Sequence, residues 1–410
     1  MATRVAIKDI CKVYDGPHAT PQKTEDGPVY LGIDAITDDG QIDPNQFSHL
    51  SEKDYIKWTK RVTPQYGDIV FSYEATLGRY ALIPKDFYGC LGRRLAVIRN
   101  TSPNIDATWL YYYFRSAEWT NFIQSKIVKG STVNRISIED FPHYTIPCVP
   151  IETQKKIVDV LGRIDRKIQI NDAVNDNLEQ QAKLLYDFWF TQFDFPDEKG
   201  KPYRASGGQM QWNDTLKRYV PIGWRVVPLL KVANWESNSQ PPKSEFIYKP
   251  REGYVRFIQN RDYGSSAHKT YIPMTKSLSI VDRYDILMDK YGDAGAVRYG
   301  IEGAFNVALG KINVHDKNHR EYVRSFLASD GIYNYLHNSC MASTRASLNE
   351  SNLAMLNIVI PDDSIVAKYE ELLREIRDSI LKTNDETAKL IELRDWLLPI
   401  LMNGQASVED

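Results

Sequence analysis

The sequence predicts a mixed α/β protein (α+β within each unit) built as a pseudo-two-fold repeat of two globular units, each followed by a long helix. Three observations predict it. Segments between residues 67 and 147 recur 212 to 217 positions later, two helical stretches carry the same heptad seam, and short β-rich runs alternate with helical runs inside both globular units. At 410 residues with 42% apolar side chains, the chain exceeds one ordinary core and has enough apolar material for several.

The repeat comes first. GDIVFSYEATLGRYALI (67–83) resembles RYDILMDKYGDAGAVRYGI (283–301), with Asp68 on Asp285 and Gly78 on Gly295 at a shift of 217. KGSTVNRISIEDFPHYTIP (129–147) resembles MASTRASLNESNLAMLNIV (341–359) at a shift of 212, which places Ser131-Thr132 on Ser343-Thr344 and Phe141 on Leu353. Each half then runs into a helix. The first seam is Ile157, Leu161, Ile164, Ile168, Asn171, Asn175, Leu178, Ala182, Leu185, Trp189. The same shift gives Tyr369, Leu373, Ile376, Ile380, Thr383, Thr387, Leu390, Arg394, Leu397, Leu401. Spacing alternates four and three, the signature of a coiled-coil seam. Both seams turn polar at the same place, Asn171 and Asn175 against Thr383 and Thr387. Such residues fix register at some cost in stability, or mark a solvated stretch where the helices splay.

These features set the boundaries: a globular unit over 1–150, a helix over 151–190, a Gly-, Pro- and charge-rich connector over 191–220, a second globular unit over 221–361, a second helix over 362–403 and a tail over 404–410. Runs such as Ile69-Val70-Phe71 read as strands and 108–126 as helical. The 25 tyrosines read as core packing more readily than as base-stacking platforms.

The net charge of −2 neither requires nor excludes a nucleic-acid partner, so any phosphate-binding surface must come from local segregation. Residues 67–135 carry nine Lys/Arg against five Asp/Glu, residues 256–345 twelve against nine, and the second helix six against ten. Within the basic units, Lys129, Ser131, Thr132, Asn134 and Arg135 form one cluster of hydroxyl, amide and guanidinium donors, and Ser343, Thr344 and Arg345 repeat part of it. Arg93-Arg94 and Gln259-Asn260-Arg261 have the same chemistry. Such groups contact phosphates, and arginine or asparagine also reads base edges bidentately. The competing reading for each is an ordinary surface loop.

Catalytic constellations are missing from the sequence. It holds no phosphate-binding G-x-x-x-x-G-K-[ST] loop, no H-E-x-x-H and no G-x-S-x-G. Asp165-Arg166-Lys167 imitates the D-x-K end of a nuclease site but falls within a long helix. Asn238-Ser239-Gln240-Pro241-Pro242 lacks the Asn or Asp directly before the prolines and the aromatic after them that an amino-methyltransferase motif needs. Cys11, Cys90, Cys148 and Cys340 are far apart, so neither a disulfide framework nor a zinc site is expected, and the seven histidines are scattered without metal-ligand spacing. With no signal-peptide pattern and no long apolar run, a cytoplasmic protein without a membrane span is expected.

Several stretches together resemble one family: GDIVFS with Gly78 downstream, GSTVNRIS, the run from Pro147 through IETQKKIVDVLGRIDRKI to residue 168, and FDFPDEKGKPYRASGGQMQWN leading to PIGWRV. They are similar to the DNA-specificity subunits of type I restriction–modification systems, over nearly the whole chain. The second-half counterpart of the proline-to-QKKIV run, Pro361 to Ala367, lacks the Gln-Lys-Lys, so that half rests more on the repeat.

The resemblance implies that each globular unit is a target-recognition domain reading one half of a split, asymmetric double-stranded DNA site. It implies that the two helices pair antiparallel and set the distance between the half-sites. Two methyltransferase subunits carrying S-adenosylmethionine would dock on this scaffold, and a motor–nuclease restriction subunit can join them. The chain itself would bind no cofactor and catalyse nothing. Two other readings compete. A stand-alone DNA methyltransferase or nuclease needs a cofactor loop that the sequence lacks. A coiled-coil assembly protein without a DNA role leaves the duplicated basic units unexplained.

Overall fold

The structure is a computed structural model that describes residues 4–130, 133–264, 269–341, 347–406 and 408. It divides into two compact units, Met1–Ile170 with Thr387–Asp410, and Asn171–Glu386. Each unit therefore holds one globular domain together with part of both long helices.

In the first unit the strands are β1 (Cys11–Asp15), β2 (Lys23–Leu31), β3 (Ser48–Leu50), β4 (Ile69–Ser72), β5 (Tyr80–Leu82), β6 (Gly89–Leu91) and β7 (Leu95–Asn100), followed by helices α1 (Ala107–Phe114), α2 (Ala117–Ser125) and α3 (Ile151–Tyr186). These strands form two sheets, ordered β1-β7-β4-β5 and β3-β2-β6, and Arg4–Ala6 pairs with Thr145–Pro147 as a separate two-stranded sheet. All four residues of β4 are buried, and it lies between β7 and β5, as a continuous apolar run requires. The helical run expected over 108–126 is broken in two, because the Ser116 hydroxyl accepts from the Trp119 N–H at 3.3 Å and caps a new helix. Behind the first sheet, Phe71, Tyr80, Phe114, Trp119 and Phe141 pack ring against ring, and Trp119 Nε1 donates to the Tyr80 hydroxyl at 2.8 Å. These aromatics are core.

The second unit repeats the plan with β8 (Ala233–Glu236), β9 (Tyr254–Ile258), β10 (Thr270–Pro273), β11 (Ile280–Val281), β12 (Ile286–Asp289), β13 (Val297–Arg298), β14 (Gly303–Phe305), β15 (Leu309–Val314), α4 (Arg320–Ala328), α5 (Asp330–Met341) and α6 (Asp363–Met402). Its sheets are ordered β8-β15-β12-β13 and β10-β9-β14-β11. The correspondence extends to single bonds. The Asp68 carboxylate accepts from the Gln65 N–H at 2.8 Å, and Asp285 from the Asp282 N–H at 3.0 Å. Gly78 and Gly295 both adopt left-handed φ, 76° and 97°, in the turns after these strands. Buried Ile136 donates its N–H to the Tyr73 carbonyl, and buried Leu348 donates to Lys290. Residues 191–220 belong structurally to this unit. Phe193, Phe195 and Val220 are buried in its core, and Met210–Asn213 pairs with Arg218–Pro221 as a hairpin.

Every seam position of α3 and α6 is buried or half-buried. Cross-helix bonds run antiparallel: Asp165 meets Arg394 in the first unit, while Asn175 meets Asn384 and Asn171 meets Glu386 in the second. The Thr383 hydroxyl, at the equivalent place in the second seam, turns back to the Ser379 carbonyl of its own helix. Gln154, from the QKKIV run, is fully buried. Its amide nitrogen donates to the Asn104 and Val149 carbonyls and its oxygen accepts from the Asp106 N–H, which fastens the start of α3 to the cap of α1. The equivalent residue in the second half, Val366, is buried too, so an apolar contact replaces the amide.

Each unit carries a buried ionic lock that involves its long helices. In the first, Asp165 accepts from the Tyr112 hydroxyl at 2.6 Å and from Arg394 at 3.1 Å. These bonds consume the acid of the nuclease-like tripeptide. In the second, Arg377 donates to Glu321 at 3.1 Å and to Glu179 at 2.6 Å, over the ring of Tyr299. Nearby, the α4 N-terminus lacks a side-chain cap of its own at His319, and the buried Glu370 carboxylate accepts from the Tyr322 N–H at 2.8 Å instead. Burial pushes the Glu370 carboxyl up to about 7, helped by Glu321 and opposed by the backbone N–H groups and Arg324. The folded chain then holds a proton that the unfolded chain releases near its ordinary value of 4.5. Stability should therefore fall as pH rises from there through about 7. Glu370→Gln is expected to flatten that decline, measured by urea unfolding across the window. A variant whose pH profile tracks the wild type would refute the assignment.

Among the described residues, no helix is long and apolar enough to cross a membrane, and no group of three His, Cys, Asp or Glu side chains is placed to hold a metal ion.

Candidate nucleic-acid interface

Each unit has one pair of parallel neighbouring strands, and polar groups gather where that pair ends. In the first unit β2 and β6 run parallel, with Tyr30 opposite Cys90 and Leu31 opposite Leu91. In the second, β9 and β14 run parallel, with Phe257 opposite Ala304 and Ile258 opposite Phe305. Immediately afterwards the chain crosses to the other sheet, through Gly92-Arg93-Arg94 into β7 and through Asn306-Val307-Ala308 into β15. The crossing leaves two places for side chains to gather, the end of the first strand and the turn after the second.

Arg93-Arg94 occupies the turn position in the first unit. The turn is tight: a Cβ on Gly92 would lie 2.4 Å from the Leu31 carbonyl oxygen. It is also held, because the Arg93 N–H donates to the Tyr30 hydroxyl at 3.1 Å and the Arg94 carbonyl accepts from Tyr73 at 3.2 Å. Both side chains line an open cleft of about 490 Å³, together with Lys23, Asn45, Gln46 and Phe47. The sequence reading missed Lys23, Asn45 and Gln46. The two amides sit on a short turn that Asp43 caps by accepting from the Asn45 N–H at 2.9 Å, so an Asp-Pro-Asn-Gln cap is the signal that marks them.

Gln259-Asn260-Arg261 occupies the strand-end position in the second unit. All three of its side chains make hydrogen bonds within the unit, with Arg261 Nη2 donating to the Thr270 hydroxyl at 3.3 Å. Gln259 Nε2 donates to the Thr270 hydroxyl at 3.0 Å, and Asn260 Nδ2 donates to the buried Asp289 carboxylate at 2.9 Å. Arg298 completes that site at 2.8 Å from Asp289, whose carboxyl is nonetheless pushed upward by burial. Arg261 is exposed.

In the loop preceding Ile136, Lys129, Asn134 and Arg135 are exposed, and Arg135 exchanges both backbone hydrogen bonds with Val128. Ser131, Thr132, Ser343, Thr344 and Arg345 lie outside the described residues. The two units share one backbone anchor here, Ile136 on Tyr73 and Leu348 on Lys290.

Comparison with known proteins adds four findings. The family described as type I restriction modification DNA specificity domain matches residues 3–180 and 221–390. The chain is similar to the type I restriction enzyme MjaIX specificity subunit of Methanocaldococcus jannaschii, 24% identical over 380 residues covering 88% of this chain and 82% of that one. It is similar to the HindI specificity subunit of Haemophilus influenzae, 23% identical over 430 residues covering 89% and 93%. The crystal structure of a type I restriction–modification system S subunit from M. genitalium shares the fold, with a TM-score of 0.54 and 14% identity over 97% of this chain and 95% of that one.

Proposed function

The chain belongs to the type I restriction–modification DNA-specificity family, whose two matched segments span more than half of it, and from that premise we propose that it reads a split, asymmetric duplex DNA site, one half with each globular domain. As a specificity subunit it is a non-catalytic component of a restriction–modification complex. The observation that carries the reading is the duplicated crossing point, where the two parallel strand pairs end in Arg93-Arg94 and in Gln259-Asn260-Arg261. One chain with a polar edge at each crossing point, at the turn in one unit and at the strand end in the other, is suited to a site of two unlike halves. The recognition domains are residues 1–150 and 221–361. Helices α3 and α6 act as an antiparallel coiled-coil spacer between them, with the register set by the polar pairs in their seam. Two methyltransferase subunits carrying S-adenosylmethionine dock on this scaffold in the cytoplasm, and a motor–nuclease subunit joins them for cleavage.

The test is co-expression of the chain with its methyltransferase partner, followed by mapping of modified adenine across the host genome. The expected result is one asymmetric motif of two blocks with a fixed unread gap, lost when this chain is deleted. Modification that persists without the chain, or a single uninterrupted motif, would overturn the reading. Within it, Arg135→Ala should weaken binding to all sequences alike and reduce the slope of log affinity against log salt by about one unit, as loss of one phosphate contact does. An unchanged slope in gel shifts would remove the 129–135 loop from the interface.

A further inference from the structure

We propose that the first domain reads a guanine in its half-site through Arg93 and Arg94, and that the second domain has no such reader at the equivalent turn. The proposal rests on the reading that the chain binds duplex DNA, and it goes beyond that reading by naming the base and the side chains.

Three observations converge. First, among the described residues neither guanidinium is ion-paired, whereas Arg4, Arg79 and Arg99 of the same unit are met by Glu118, Asp38 and Asp68. Arg93 is exposed, and Arg94 Nε is enclosed without a hydrogen-bond partner. The cleft is lined by Lys23 and by Asp34, which forms no ion pair with either arginine, so exposed Arg93 and the outer nitrogens of Arg94 keep their donors for an acceptor from outside. Second, Arg94 has φ of 72°, a conformation that favours glycine. The bonds to Tyr30 and Tyr73 hold the turn around it, so the two side chains leave a fixed backbone rather than a loose loop. Preorganisation of this kind matters for a bidentate contact, which requires the planar fork to meet both acceptors at once. Guanine offers that pair of acceptors, O6 and N7, on its major-groove edge. Third, the corresponding turn of the second unit is Asn306-Val307-Ala308, and the Asn306 carboxamide oxygen accepts from the Ala308 N–H at 3.1 Å. No guanidinium stands there. The two half-sites are therefore read with different chemistry at the same topological position.

The experiment is selection from a DNA library randomised at both half-sites, using the full chain with its methyltransferase partner. Wild type, Arg93→Ala, Arg94→Ala and the double lysine variant R93K/R94K are compared. The wild-type motif should contain a guanine in the half assigned to the first domain. Preference for it should fall about 10- to 100-fold in at least one alanine variant. The lysine pair should lose the same preference while keeping most of the affinity for unrelated DNA, because lysine keeps the charge and loses the fork. Weaker binding to all sequences with the guanine preference intact would overturn the proposal in favour of phosphate contacts, and so would unchanged selection in every variant. A wild-type chain that selects no motif would instead sink the DNA-reading function itself. Thermal unfolding of each variant separates a lost contact from a lost fold.

Discussion

Replacing residues 1–150 with the corresponding unit of a relative of different specificity is expected to exchange one half of the recognised site and leave the other unchanged. The physical basis is that β1 to β7, α1 and α2 build their own pair of sheets and their own aromatic core. The junction has to respect what crosses it. Ile157 and Leu161 of α3, with Leu398, Leu401 and Met402 of α6, complete that core, and Asp165 takes its hydrogen bond from Tyr112. A donor unit without a tyrosine there leaves a buried carboxylate short of one donor, at a cost of about 1–3 kcal/mol. With that position kept, the chimaera should fold, and motif mapping should return one new half-site and one old one. A simultaneous change in both halves would mean that the two domains do not read independently.

The second large effect is on stability. Arg377 is buried, touches two carboxylates and lies over the Tyr299 ring. Arg377→Ala should cost about 3–5 kcal/mol, because it strands the buried Glu321 carboxylate with Arg324 as its remaining ion-pair partner. Exchanging Arg377 and Glu321 together for methionine and leucine should not recover that loss, since the buried Arg324 guanidinium is then left without its carboxylate. Denaturant midpoints of the two variants and the wild type decide the matter. A single mutant within about 1 kcal/mol of wild type would show that the network contributes little.

Much of this architecture was legible in the sequence because duplication writes the same constraints twice. The shift of 217 pointed to Asp68 and Asp285, and both close the same turn in front of a central strand. The heptad seam was legible because period is a one-dimensional property, and it reached Asn171 and Asn175 as cross-helix groups. Their partners were not legible, since Asn384 and Glu386 are set by the antiparallel stagger rather than by spacing along one helix. The cleft was less legible still. Arg93-Arg94 stood out as a pair, but Lys23, Asn45 and Gln46 join it only after β2 has paired with β6 across some sixty residues of chain. The sequence also says nothing of which polar groups are already spent. Gln259 and Asn260 have base-reading chemistry, yet Thr270 and Asp289 hold their amides.

The two ionic locks carry opposite polarity. Asp165 and Arg377 are equivalent positions at the 212-residue shift, yet one is an acid and the other a base. The residue equivalent to Arg394 is Ala182, and the residue equivalent to Glu179 is Ile391. If two copies of the first half joined through their own helices, Asp165 would face Ala182 in place of an arginine. Two copies of the second half would set Arg377 against Ile391 in place of Glu179, leaving it only Glu321 of its own half among these carboxylates. Burying a charge without its mate is far costlier than keeping the native pair. The two halves are thus coded as unlike mates at the helix seam, with an acid in one arm where the other carries a base.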